Sequence, residues 1–347
     1  MTVPPPASPA PEAQLKTPAP EVRLDASAPE VRLDAPAPEV RLETPTPEVR
    51  LEIPTPEVRL EIPAPEAPRN AMSVDVEDWF QVQAFARAIP REEWEGLDRR
   101  VEASTDRILG AFEEAGIRAT FFTLGWVAER HPALVRRIVA GGHELASHGH
   151  GHQLVREIGE AAFREDIRRA KGLLEAAGGV SVLGYRAPTF SIGRDTPWAH
   201  RVLAEEGHRY SSSVFPVSHD NYGDPDAPRG PHRPDPEGVV ELPMTTVRVA
   251  GRNLPCAGGG WFRLVPYQVF RAGLRRATGA EGRRGVFYFH PWEVDPDQPR
   301  VAASRLSRFR HYTGLRAMMP RVQRLLGDFA WGRMDEVFAR EIAATPR

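Results

Sequence analysis

Seventeen of the chain's 35 prolines fall within residues 1–69, and that partition decides where a fold can form. From Pro20 the segment Pro-Glu-Val-Arg-Leu recurs every nine residues, at Pro29, Pro38, Pro47 and Pro56, and fades at Pro65-Glu66-Ala67. Proline at this spacing blocks helix and removes amide donors that a sheet needs. Residues 1–69 also hold no Phe, Trp or Tyr, so they bury too little apolar surface to offset chain entropy. A period of nine is too short for a solenoid unit. The expectation is a disordered, polyproline-like spacer over residues 1–69 and one folded domain over residues 70–347.

The charge divides the same way. Of the formal net charge of −2, residues 1–69 carry seven basic and twelve acidic side chains, which leaves the remainder slightly basic. Neither part has the charge of a nucleic-acid partner. Cys256 is the only cysteine, so an intrachain disulfide and a CxxC zinc site are excluded, and any metal must be held by His and carboxylates. The opening Met-Thr-Val-Pro-Pro-Pro lacks a secretory pattern and no run of about 18 apolar residues occurs. A cytoplasmic address is expected, with work at the inner face of the membrane left open.

After Asn70 short apolar runs alternate with amphipathic segments. Strands are expected at residues 71–76, 119–124, 143–147, 184–187, 239–242 and 286–289, and helices at 105–115, 132–140 and 161–177. Repeated β-α units of this size predict a parallel sheet closing into a (β/α) barrel, whose chemistry sits at the carboxyl ends of the strands.

Those ends are loaded with polar residues. The first strand delivers Asp75, Glu77 and Asp78, the third His148, His150 and His152, the fourth Arg186, and the last His290. Three carboxylates within four residues repel one another unless a cation or an arginine neutralises them. His148 and His152, spaced i,i+4, can share a face and make a two-His, one-carboxylate metal site with room for water. His150, two residues from each, should point away. Gly258-Gly259-Gly260 lacks the GK[ST] of a phosphate loop and reads as a turn. Trp79, Trp261, Phe262 and Trp292 are candidates for stacking on sugar faces, although large aromatics are more often core.

The sets Ser73-Val74-Asp75-Val76-Glu77-Asp78, Ser147-His148-Gly149-His150-Gly151-His152, Tyr185-Arg186-Ala187-Pro188 and Phe287-Tyr288-Phe289-His290-Pro291 resemble the motifs of the polysaccharide deacetylases of carbohydrate esterase family 4. Residues 75–82, 212–216, 258–263, 290–293 and 311–315 are similar to the branch associated with exosortase-type exopolysaccharide systems. The resemblance spans about residues 70–340. It implies a distorted, incomplete (β/α) barrel that removes acetyl groups from N-acetylated sugars of a polysaccharide or its lipid-linked precursor, with one divalent metal, Zn2+ before others. It also implies that exopolysaccharide assembly machinery is a partner. Asp75 matches the general base, Arg186 the residue that orients it, His290 the general acid, and His148 and His152 two metal ligands.

The commonest pattern has a metal Asp directly after the base, where Val76 stands, so the third ligand is expected to be Asp78, with Glu77 as the alternative. Strand alternation puts Glu77 on the face of Asp75, whereas a turn could bring Asp78 in. Pro188 and Trp292 are expected at the substrate. The family's fourth-motif Asp, which holds the acid His, has no counterpart at Tyr210-Ser211-Ser212-Ser213, so Asp195, Glu293 or Asp295 must take over or the His is tuned differently. Two other readings stand beside this one: a hydrolase of small non-sugar amides on the same barrel, and a non-catalytic carbohydrate-binding protein. The latter has no need of a base, its orienter and an acid together.

Overall fold

A computed structural model describes residues 70–220 and 222–344, so the repeats of residues 1–69 lie outside the described residues. Eight short strands run parallel in one curled sheet: β1 (Asn70–Val76), β2 (Thr120–Thr123), β3 (Glu144–Ser147), β4 (Gly184–Tyr185), β5 (Tyr210–Ser211), β6 (Val240–Glu241), β9 (Gly285–Phe289) and β10 (Trp331–Gly332). Between β6 and β9 the chain makes an antiparallel hairpin of β7 (Thr246–Val249) and β8 (Arg252–Pro255). Ala250 and Gly251 at its tip both have positive φ, which suits a tight two-residue turn.

The sheet order is β10-β1-β2-β3-β4-β5-β6, with β9 also paired to β1. It is a half-barrel with one gap, between β6 and β9. Thr245 reaches across towards that gap, its hydroxyl donating to the Val286 carbonyl at 2.9 Å and accepting the Val286 amide at 2.6 Å. Every residue of β1, β2, β3 and β9 is buried, as strands covered on both faces require.

Helices cover the sheet: α1 (Val101–Glu114), α2 (Gly125–Arg130), α3 (Pro132–Ala140), α4 (Val155–Gly178), α5 (Ala199–Glu205), α6 (Gly259–Leu264), α7 (Tyr267–Arg275), α8 (Arg305–Tyr312) and α9 (Leu315–Asp328). In α1 the buried residues Val101, Ser104, Thr105, Ile108, Ala111 and Phe112 follow the helical period, and Gly116 at φ +65° ends it. Pro132 opens α3 at a position where its missing amide costs nothing. Helix α4 begins earlier than its apolar period suggests, but Gly159 at φ +74° interrupts it, and the regular part follows that break.

Register is what assembles the site. Val74 pairs with Phe289, Asp75 with Phe122, Phe122 with Ala146, and Ser147 with Tyr185. Asp75 and His290 therefore stand level, each one residue past the Val74–Phe289 pair. His148 and Arg186 are likewise each one residue past the Ser147–Tyr185 pair.

Candidate functional site

Arg186 is fully buried at the end of β4, and each of its three guanidinium nitrogens donates. Nη1 donates to Asp75 Oδ1 at 2.6 Å and to Ser73 Oγ at 2.8 Å, Nε to the Ser212 carbonyl at 3.0 Å, and Nη2 to Ser212 Oγ at 3.1 Å. The guanidinium also lies 4.1 Å from the centre of the Phe122 ring. A cation so fixed holds Asp75 in one orientation and leaves its Oδ2 for the cleft.

Beside Asp75, Glu77, His148 and His152 bring ligand atoms within 4.8 Å of one another, and all three are buried. The His148 Nδ1 meets the Arg186 carbonyl at 2.8 Å, so Nδ1 carries the proton and the Nε2 lone pair is free. Burial, with His152 nearby, lowers the His148 pKa to about 4, which keeps the ring neutral at pH 7. Burial alone would raise Glu77, but His152, His290 and His148 outweigh it and hold the carboxyl at about 2. Glu77 Oε2 lies 2.7 Å from His152 Nε2, yet the pair is not aligned as a hydrogen bond and Oε2 has no other partner. A neutral imidazole, a carboxylate and a buried anionic oxygen without a donor are the protonation states and the deficit that a divalent cation fits.

The expected position of Asp78 differs. Its Oδ1 accepts the Trp79 amide at 2.8 Å, and its Oδ2 accepts the amides of Arg100 and Val101 at 2.8 and 3.0 Å. It caps the first turn of α1 from outside the helix and does not join the His pair, a correction to the sequence expectation. Strand alternation carries Glu77 to the face of Asp75 instead. The indole N–H of Trp292 donates to Glu77 Oε1 at 3.1 Å and so aims it. Trp292 is itself stacked between His290 and His311, at 5.0 and 4.2 Å between ring centres. Pro188 is buried and is not part of the cleft wall, whereas its neighbours Ala187, Thr189 and Phe190 are. His150 faces Glu129, outside the cluster.

His290 Nε2 lies 4.0 Å from Asp75 Oδ2 and 3.7 Å from Glu77 Oε1. Its Nδ1 meets Glu293 Oε2 at 2.9 Å. Of the three acids considered from sequence, Glu293 holds this ring; Asp295 pairs with Arg100 and Asp195 lines a separate cavity. Burial would lower the His290 pKa, but the Glu293 hydrogen bond and the charges of Glu77, Glu293 and Asp75 raise it to about 9.

Glu293 is in turn fixed by Arg263, a residue that strand-end reasoning passes over. Its Nε donates to Glu293 Oε1 at 2.6 Å, and its other nitrogens take the carbonyls of Arg310, His311 and Thr313 at the end of α8. The pair is about 2% exposed at most, so removing one partner strands a buried charge. Arg263→Met should cost about 3–5 kcal/mol of stability in urea unfolding. A loss under about 1 kcal/mol would mean that Glu293 is neutralised some other way.

These groups open into a cleft of about 450 Å³, walled by Phe190, Tyr222, Trp261 and Tyr288 among others. Of the four non-glycine residues with positive φ among the described residues, three, His152, Thr189 and Phe190, line this cleft. Such strain persists only where the surrounding structure imposes it.

Residues 96–210 match the polysaccharide deacetylase family model. Over that third of the chain the sequence is similar to the polysaccharide deacetylases. Residues 212–339 match a domain of unknown function, DUF3473. His148, His152 and Arg186 lie in the first match and Arg263, His290 and Glu293 in the second, while Asp75 and Glu77 precede both. The pairing of β1 with β9, and through β2 and β3 with β4, brings the three groups together.

The chain is 30% identical over 145 residues to a chitooligosaccharide deacetylase of Sinorhizobium fredii, covering 42% of this chain and 61% of that one. It is 31% identical over 84 residues to a peptidoglycan-N-acetylglucosamine deacetylase of Bacillus cereus, covering 24% and 30%. The chain thus spans less than two thirds of the length of these relatives. Among solved structures, a protein described as a polysaccharide deacetylase from Mycobacterium smegmatis superposes with a TM-score of 0.52 at 23% identity, covering 82% of this chain and 94% of that one. An allantoinase superposes at 0.51 and 20% identity, covering the same shares. At these identities the structures establish the curled half-barrel alone. Among the described residues no helix is long and apolar enough to cross a membrane.

Proposed function

We propose that the chain is a metal-dependent hydrolase that removes N-acetyl groups from N-acetylated sugars of a polysaccharide or its lipid-linked precursor. The observation that carries this reading is the pairing of Asp75, held by Arg186, with His290, held by Glu293, beside the Glu77–His148–His152 cluster. Those three residues would hold the metal, with zinc favoured by the nitrogen-rich donor set. A divalent metal bound there supplies Lewis-acid polarisation of the acetyl carbonyl and acidifies water.

The chain's own residues supply the proton transfers. Asp75 Oδ2, the oxygen not occupied by Arg186, accepts the proton of the attacking water. An amine leaves poorly unless protonated, and His290 carries that proton on Nε2, the nitrogen nearest Asp75. Glu293 keeps the other ring nitrogen engaged, so the ring can turn neither its proton nor its face away. Residue resemblance favours a place in exopolysaccharide assembly. Acetate release from a panel of N-acetylated oligosaccharides, with metal-free and zinc-loaded protein, tests the proposal. Release that depends on metal is expected; no release from any glycan would leave a glycan-binding protein.

A further inference from the structure

A second cavity, of about 850 Å³, shares Trp261 with the catalytic cleft. Four arginines line it, Arg229, Arg248, Arg252 and Arg283, against one lining carboxylate, Asp226. Asp226 is already paired with Arg194 at 2.9 Å. Glu281 lies nearby but is shared, at 2.6 Å from Arg229, 3.6 Å from Arg283 and 3.8 Å from Arg276. Arg229 Nε and Nη2 are engaged by Thr246 and Glu281. The Arg283 Nε is not: it is buried and has no hydrogen-bond acceptor. Arg248 and Arg252 are exposed at the hairpin tip, and among the described residues neither side chain pairs with a carboxylate. Burial and the neighbouring Arg229 both make the Arg283 charge less favourable, as expected of a cation short of an anion.

We infer that this cavity is an anion subsite that takes an acidic sugar residue, bearing a carboxylate or a phosphate, of the glycan whose N-acetyl group enters the catalytic cleft. The guanidinium groups of Arg248, Arg252 and Arg283 supply the donors that a planar carboxylate or a phosphate accepts. Trp261, common to both cavities, forms the wall along which successive sugars of one chain would pass. That the acidic sugar and the N-acetyl sugar share one chain rests on the deacetylase reading; the presence of an anion site does not.

The test is a calorimetric titration of the full chain with two probes, a tetrasaccharide alternating N-acetylglucosamine with glucuronate, and the neutral tetramer of N-acetylglucosamine. Wild type should bind the acidic probe more tightly, with an advantage that shrinks as salt is raised. Arg248→Gln/Arg252→Gln, both at an exposed hairpin, should weaken the acidic probe roughly tenfold or more and leave the neutral one unchanged. Arg283→Gln should act in the same direction. Inorganic phosphate should compete with the acidic probe in wild type and lose its grip in the double variant. Equal affinity of wild type for both probes, or undiminished binding in the double variant, overturns the inference. So does loss of acidic-probe binding in Glu77→Gln but not in the arginine variants, which would locate the anion at the metal cluster. Binding that follows the expected pattern without acetate release would retain the subsite and refute the deacetylase reading.

Discussion

Asp75→Asn and His290→Ala should each slow deacetylation by roughly 10²–10⁴-fold, the range of general acid-base catalysis, while keeping bound metal. Neither side chain belongs to the Glu77–His148–His152 cluster, so metal content should stay near wild type, and a variant that loses both metal and activity would shift its residue from proton transfer to the metal site. The two should then part on leaving-group quality. An activated aryl acetate needs little protonation of its leaving group, so His290→Ala should be nearly spared on it while Asp75→Asn remains slow. Equal penalties on both substrates would refute the division of labour. Glu293→Gln gives the same argument a pH axis. His290 must be protonated to act as acid, and its pKa stands near 9 because Glu293 and neighbouring carboxylates outweigh burial. Removing the Glu293 charge destabilises the imidazolium, so its pKa falls and the alkaline decline of the rate moves to lower pH. An unmoved or raised alkaline limb would assign that limb to another group.

Much of this site is readable without coordinates because parallel strands deliver their chemistry at one end. Asp75, His148, Arg186 and His290 each follow a compact apolar run, and register brings the runs level. Helix α3 is legible for a similar local reason: Pro132 starts it and Gly141 follows its end. The start of helix α1 is not, because it begins at Val101 without a side-chain cap of its own, and the carboxylate that caps it is Asp78, 23 positions earlier. The same fact hides the fate of Asp78, since a carboxylate beside two others looks like a ligand until its amide partners are known. Strands β5 and β10 have two residues each and carry no period to detect. Arg263 lies 30 positions from Glu293; the three glycines before Trp261 and Phe262 read as a turn in the sequence but open the short helix α6 (Gly259–Leu264), and nothing local ties that helix to a histidine on another strand.

The sharpest consequence of the Asp78 correction is a pair of variants with opposite phenotypes. Glu77→Gln removes the anionic member of the cluster, replaces Oε2 with a group that repels a cation or binds it weakly, and leaves only the two imidazoles as unaltered donors. Metal affinity should fall at least about 100-fold, beyond the range seen when only an outer partner of a ligand is lost. Folding should lose some stability as well, because the attraction of the neighbouring histidines for the Glu77 charge outweighs its burial, but the larger loss is in metal affinity. Asp78→Asn should do the reverse. The amide still offers one oxygen, but its NH2 must face backbone amides of Trp79 or of Arg100 and Val101 that now lack an acceptor. Unsatisfied buried donors cost about 1–3 kcal/mol, so unfolding should come at lower urea, while metal affinity measured on the folded protein stays within about tenfold of wild type, the lower edge of outer-shell effects. Competition with a chelator reads the first quantity and the urea midpoint reads the second. If Asp78→Asn loses metal and Glu77→Gln keeps it, Asp78 is the ligand and α1 must open to release it.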